Sequence, residues 1–221
     1  MSTPRPDGRT TRWAGHREQR RRAFVDAALV VIDRIGPAAT VDQIAAEIGV
    51  TRQTVYRQFA DRRDLGHAIS DRAAELLVAD VLPHLDGGLG SGGLELGAGG
   101  LEPTIRRVLY AYLDHVQGNL PLYRFVRARE AEVAADSAVR RVKETVAGSI
   151  AALARQVLVD LDLPERMAAT FATGIIGMAD AVIGGWLDAP EGLSRDELVD
   201  QLTLMLTGML AGAVLGASSR P

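Results

Sequence analysis

The chain contains no cysteine, so neither a disulfide framework nor a thiolate metal site is open to it. That fits a reducing compartment, and a cytoplasmic location is expected. Aromatic residues are few, with four Phe, four Tyr and two Trp in 221 residues. The N-terminus is arginine-rich and lacks the apolar segment of a secretory signal. No long apolar run is present either. The longest uncharged stretch, residues 201–219, is broken by Thr203, Thr207 and several glycines. It falls short of the roughly 20 predominantly apolar residues that a membrane span needs, and reads as a buried helix. The four histidines, His16, His67, His84 and His115, lack zinc-ligand spacing, and no G-x-S-x-G pattern positions a nucleophile. Gly88, Gly90 and Gly93 match G-x-G-x-x-G, but a helical pattern precedes them and more glycines follow. Dinucleotide binding requires a strand before and a helix after. An enzyme is therefore not expected, nor a cofactor, a metal or a membrane partner.

What is present is unevenly placed. Residues 1–63 hold twelve arginines against seven acids, a net of +5. The remainder holds 13 basic residues against 21 acids, a net of −8. A basic head on an acidic body directs only the head toward a polyanion. Residues 1–16, with Pro4, Pro6, Gly8, Gly15 and the arginines Arg5, Arg9 and Arg12, read as a disordered basic arm. From residue 17 the pattern turns helical. Phe24, Ala27, Ala28, Val31 and Ile35 recur at spacings of three and four, and Gly36-Pro37 ends the run.

Two short amphipathic segments follow. Thr40 caps residues 41–48 and Thr51 caps residues 52–59. Between them Gly49 tolerates the positive φ of a tight turn, and Val50 fills the angle between the helices. Ala45 is small where the helices approach. Val55 and Phe59 point inward, whereas Arg52, Gln53, Tyr56 and Arg57 point outward, with no acid among them. A helix entering the major groove needs such donors. Asp61 caps a longer helix through residue 82, ended by Pro83. Residues 86–101, rich in glycine, form a flexible linker. Further helices are predicted near 102–117, 120–129, 137–160, 164–187 and 194–215. No alternating strand pattern and no internal repeat appear. The fold expected is all-α, with a three-helix helix-turn-helix domain at 17–63 and a helical bundle at 64–221.

Across residues 17–69 the chain resembles the TetR family of transcriptional regulators. Phe24, Ala27-Ala28, Gly36, Thr40, Ile44-Ala45, Gly49-Val50-Thr51, Thr54-Val55-Tyr56, Phe59 and Asp61 carry the resemblance. It implies that residues 52–59 form the recognition helix, with Arg52 and Gln53 reading bases and Tyr56 against the sugar-phosphate backbone. By the same resemblance Thr40, Thr51, Thr54, Arg57 and Arg63 contact phosphates of a double-stranded DNA operator. Gln53 stands where many members have Gly or Pro, and Arg63 where Lys is usual. The operator is therefore not transferable from relatives.

The resemblance also implies a homodimer built by the last two helices, which here carry Gly174, Gly177, Leu202, Met205, Met209 and Gly212. Two recognition helices would then lie about one DNA turn apart, calling for a pseudo-palindromic operator. A mostly apolar pocket among the middle helices is expected to hold a small apolar or amphipathic effector, with Tyr110, His115, Tyr123, Phe125, Met167, Phe171 and Met178 as candidates. The effector would shift the population between conformers through the helix at 61–82 and release a repressor from DNA. A second reading keeps the effector pocket but makes the DNA head vestigial. A hydrolase on a helical scaffold is more remote.

Overall fold

The computed structural model describes residues 8–86, 101–129, 138–160, 164–189 and 192–218. Among them there is no strand. The helices are α1 (Gly8–Ile35), α2 (Val41–Glu47), α3 (Arg52–Tyr56), α4 (Arg62–Asp86), α5 (Leu101–Gly118), α6 (Leu120–Arg127), α7 (Ala138–Asp160), α8 (Ala168–Asp188) and α9 (Arg195–Ser218). A 3-10 turn at Glu165–Met167 leads into α8. The chain divides into two compact units, residues 1–76 with 118–140, and residues 77–117 with 141–221.

Three helix limits differ from those expected. First, α1 begins at Gly8 rather than near residue 17, so the backbone of residues 8–16 is helical. No proline follows Pro6 in this stretch, and extending an existing helix is far easier than nucleating one. Second, α3 ends at Tyr56 and the chain continues as turns to Asp61. The bond from Gln58 N–H to Val55 C=O at 2.8 Å tightens this end. Third, Pro83 lies inside α4 instead of ending it. Proline deprives the Ala79 carbonyl of its donor, but Ala79 is exposed, and Val81 and Leu85 bury the turns on either side. The glycine-rich segment expected at 86–101 lies outside the described residues between 87 and 100.

The first unit is cored by Phe24, Ala28, Val31 and Ile32 of α1, Ile44 and Ala45 of α2, and Val55 and Phe59 at and beyond α3. Leu65, Ile69 and Ala73 of α4 and Leu122 and Phe125 of α6 complete it. The buried stripe of α1 is offset from the one read in the sequence. Val25 and Ile32 are buried, Ala27 is half-buried and Ile35 is 42% exposed. Ile35 is the last helical residue before Gly36 turns the chain at φ +91°, so its side chain passes beyond the core.

The second unit has one core of Leu109, Leu113, Ile183, Leu198, Val199, Leu202 and Leu206, and a smaller one of Ala154, Leu158 and Ala168. Polar bonds fasten α5 to α9. Arg195 donates to Asp114 at 2.6 Å and to the Tyr110 carbonyl at 3.2 Å, and the Tyr110 hydroxyl donates to Asp196 at 2.8 Å. Trp186 Nε1 donates to the Leu193 carbonyl at 2.8 Å, closing the α8–α9 turn where Gly192 adopts φ +87°. Helix α9 opens on reciprocal bonds: Ser194 N–H to the Glu197 carboxylate at 2.8 Å, and Glu197 N–H to Ser194 Oγ at 3.2 Å. Among the described residues α8 is long and apolar enough to cross a membrane. Here it serves as a bundle helix, with Ala172, Ile183 and Gly184 buried.

Candidate nucleic-acid interface and cavity

The two short helices are held by their caps. Thr40 Oγ1 accepts from Gln43 N–H at 3.3 Å, while Thr40 N–H donates to Gln43 Oε1 at 2.8 Å, a reciprocal capping box. Thr51 Oγ1 accepts from Thr54 N–H at 3.3 Å and lies 3.0 Å from Thr54 Oγ1. Asp61 caps α4 by accepting from Asp64 N–H at 2.8 Å. The expected turn is present. Gly49 has φ +71°, and Val50 N–H bonds to the Ala45 carbonyl at 2.9 Å. These bonds satisfy backbone groups that helices of five and seven residues leave open, so segments too short to stand alone keep their shape.

Helix α3 then presents a polar face without a carboxylate. Arg52, Gln53 and Arg57 are exposed, Thr54 and Tyr56 are half-buried, and Arg63 stands exposed in the first turn of α4. Arg52 reaches Asp42 of α2 at 3.1 Å and lies over the Tyr56 ring, 5.5 Å from its centroid. The Tyr56 hydroxyl, and then Asp42, raise the Arg52 pKa further, so its charge is permanent. The side chains of Gln53, Arg57 and Arg63 have no partner among the described residues. The fold thus holds one arginine in place and leaves two cations and an amide open to solvent. Thr40 and Thr51 lie beside this face at the helix N-termini.

One cation of the Arg20-Arg21-Arg22 run has a role that the sequence did not reveal. Arg21 turns inward and lies over the Phe59 ring at 4.2 Å. It donates to both Asp64 carboxylate oxygens, at 2.6 and 3.3 Å, and to the Gln58 carbonyl at 2.7 Å. Asp64 also accepts from Ala60 N–H at 2.9 Å. The Arg21 bond, reinforced by the Ala60 amide, holds the Asp64 carboxyl below its ordinary pKa. One arginine therefore ties α1 to the turns after α3 and to the start of α4. No periodicity distinguishes it from Arg20 and Arg22, which are exposed.

The second unit contains a cavity of about 230 Å³. Leu77, Val81 and Leu85 of α4, Val146 and Ile150 of α7, and Ile175, Ile176 and Ala179 of α8 form much of its wall. Helix α5 contributes Leu101, Thr104, Ile105, Val108, Leu109 and Tyr112, a stripe at helical spacing. Asp180 is the one charged residue among the described lining side chains.

None of the seven pocket candidates lines this cavity. Tyr110 is turned toward Asp196 and Arg106, and His115 Nδ1 lies 2.6 Å from the Asp80 carboxylate. Phe125 is core of the first unit, and Tyr123, in the same unit, accepts from Arg127 at 2.9 Å. Met167 and Phe171 pack on the Ala154–Leu158–Ala168 cluster, and Met178 on the larger core. Tyr112 is the one aromatic among the described lining residues, and no methionine is among them. The wall is mainly aliphatic, and a cavity wall has the same helical period as a filled core.

Of the dimer candidates, Gly174, Gly177 and Gly212 are exposed, as are Met205 and Met209, at 46% and 36%. Leu202 is fully buried in its own protomer. Leu204, two residues on, is 71% exposed.

A capped helix-turn-helix with a cationic second helix, joined to a helical unit containing an apolar cavity, defines a DNA-binding transcriptional regulator. Residues 24–69 match the family model described as bacterial regulatory proteins, tetR family. An uncharacterized HTH-type transcriptional regulator of Mycobacterium tuberculosis is 30% identical, over 98% of this chain and 88% of its own length. The chain belongs to the TetR family of transcriptional regulators. The HTH-type transcriptional repressor LfrR of Mycolicibacterium smegmatis is 33% identical over 46% of this chain and 48% of its own. The crystal structure of LfrR in complex with proflavine superposes with a TM-score of 0.54 at 25% identity, covering 85% of this chain and 94% of that one. A tetR-family regulator from Streptomyces coelicolor gives 0.61 at 22% identity, covering 90% and 89%. These relatives are regulators, not enzymes.

Proposed function

We propose that the chain is a cytoplasmic repressor that binds a pseudo-palindromic operator as a homodimer and is released by a small molecule. The observation that carries this reading is the face of α3, where Gln53 and Arg57 stand open beside a fixed Arg52. In this reading Arg52 and Gln53 read base edges, Tyr56 lies on the sugar-phosphate backbone, and Thr40, Thr51, Thr54, Arg57 and Arg63 meet phosphates. Repression is supported by the repressor among the relatives, and an effector by the cavity and by a relative crystallised with proflavine.

Helix α4 supplies a route for the signal. Leu65, Ile69 and Ala73 belong to the first unit's core, whereas Leu77, Val81 and Leu85 line the cavity. An effector that favours the conformer unsuited to DNA by about 2.7 kcal/mol lowers DNA affinity a hundredfold. The dimer is assigned to the exposed faces of α8 and α9, with Gly174, Gly177, Leu204, Met205, Met209 and Gly212.

The test is to sequence genomic fragments retained by the purified protein at moderate salt. Enrichment of a short inverted repeat, lost on Tyr56→Ala substitution, is the expected result. Retention of random duplex with no enriched repeat would refute operator binding. An unchanged repeat with the Tyr56→Ala protein would refute the docking assigned to α3.

A further inference from the structure

Among the described residues the cavity wall is apolar except at three side chains, and these differ in how they are satisfied. Thr104 is buried, and Arg107 lies 3.4 Å from its hydroxyl. Tyr112 also has a partner within the protein. Asp180, half-buried in the middle of α8, has no ion pair or hydrogen bond among the described residues. Its neighbours in the wall, Ile176 and Ala179, cannot donate from their side chains.

An ionised carboxylate needs water or a hydrogen-bond donor around it. A ligand large enough to fill the cavity excludes water from the part of the Asp180 carboxylate that faces it. The ligand must then supply a donor or leave an ionised group unsatisfied against hydrocarbon, which is costly. A neutral apolar molecule incurs that cost, and an anion adds repulsion to it. A molecule with an apolar body and a protonated nitrogen avoids both, because a charge-assisted N–H···O bond is stronger than a neutral one.

We infer that the cavity takes an organic cation, an apolar body bearing an ammonium or amidinium group, with Asp180 as its counter-ion. This rests on the cavity being the effector site and narrows the effector from apolar or amphipathic to cationic. Thr104 and Tyr112, on α5, line the same cavity from another element.

The experiment uses the full chain and three probes with one body and different heads: 4-phenylbutylamine, 4-phenylbutanol and 4-phenylbutyrate. Their affinities are measured by calorimetry on the parent, on Asp180→Asn, which keeps the shape, and on Asp180→Glu, which keeps the charge. Thermal melts establish that each variant is folded. The parent should bind the amine more tightly than the alcohol by about tenfold or more, with the carboxylate weakest. Asp180→Asn should abolish this preference, chiefly by weakening the amine, and Asp180→Glu should retain it. Equal binding of amine and alcohol by the parent, or an amine preference that survives Asp180→Asn, overturns the inference alone. Binding of all three probes left unchanged by filling the cavity with Ala179→Phe overturns the effector site itself, as does failure of all three to bind.

Discussion

The Arg21 guanidinium does several jobs with one side chain. It covers the Phe59 ring, bonds both oxygens of Asp64 and satisfies the Gln58 carbonyl. Arg21→Ala should destabilise the protein by about 2 kcal/mol, because it removes packing and leaves a carboxylate and a carbonyl short of a donor. The pH dependence provides a separate check. The folded Asp64 carboxyl has its pKa lowered, chiefly by Arg21, so the unfolded chain takes up the proton first as pH falls. The stabilisation is complete above the ordinary aspartate value of about 4 and is lost as pH drops through the lowered folded value. Urea denaturation of parent and Arg21→Ala between pH 7 and pH 3 should show their difference shrinking at the acid end. A constant difference would mean that Arg21 acts through packing alone.

At the scale of the element, α2 and α3 depend on the turn between them. Gly49 has φ +71°, and a Cβ there would meet nothing within 4 Å. The cost of Gly49→Ala is therefore conformational rather than steric, about 1 kcal/mol. Gly49→Asn should cost less, because Asn tolerates the left-handed region better. Chemical denaturation of the two variants tests that order, and an alanine variant as stable as the parent would contradict it. Caps are part of the same economy. Thr40→Ala loses a reciprocal pair of bonds on an exposed helix end and should cost about 1 kcal/mol.

For the whole molecule, the proposed dimer rests on the exposed side chains of α9. Leu204 and Met205 face solvent in the protomer, at 71% and 46%. Leu204→Glu would place a charge in the proposed interface and should shift the sedimentation profile from dimer to monomer. Operator affinity should then fall steeply, because each protomer carries only one recognition helix. A Leu204→Glu protein that remains dimeric would move the interface elsewhere. Phosphate contacts also make binding salt-dependent. Arg57→Ala should weaken binding to all sequences alike and reduce the slope of log affinity against log salt by about 1. An unchanged slope would remove Arg57 from the phosphate contacts.

Local chemistry alone determined the all-α class, the caps at Thr40, Thr51 and Asp61, the turn at Gly49 and the cationic face of α3. Each follows from spacing, from a side-chain oxygen near an open N–H, or from glycine's freedom at positive φ. Other features needed the tertiary structure, because they depend on residues far apart in the chain. Arg21 meets Asp64 across 43 positions, and no local pattern separates it from its exposed neighbours. Packing alone draws α6 into the first unit's core through Leu122 and Phe125 and buries Leu202. It also leaves a cavity beside Asp180 instead of a filled core. A hydrophobic stripe records which face of a helix turns inward, but the volume enclosed between several such faces is a property of their arrangement in space.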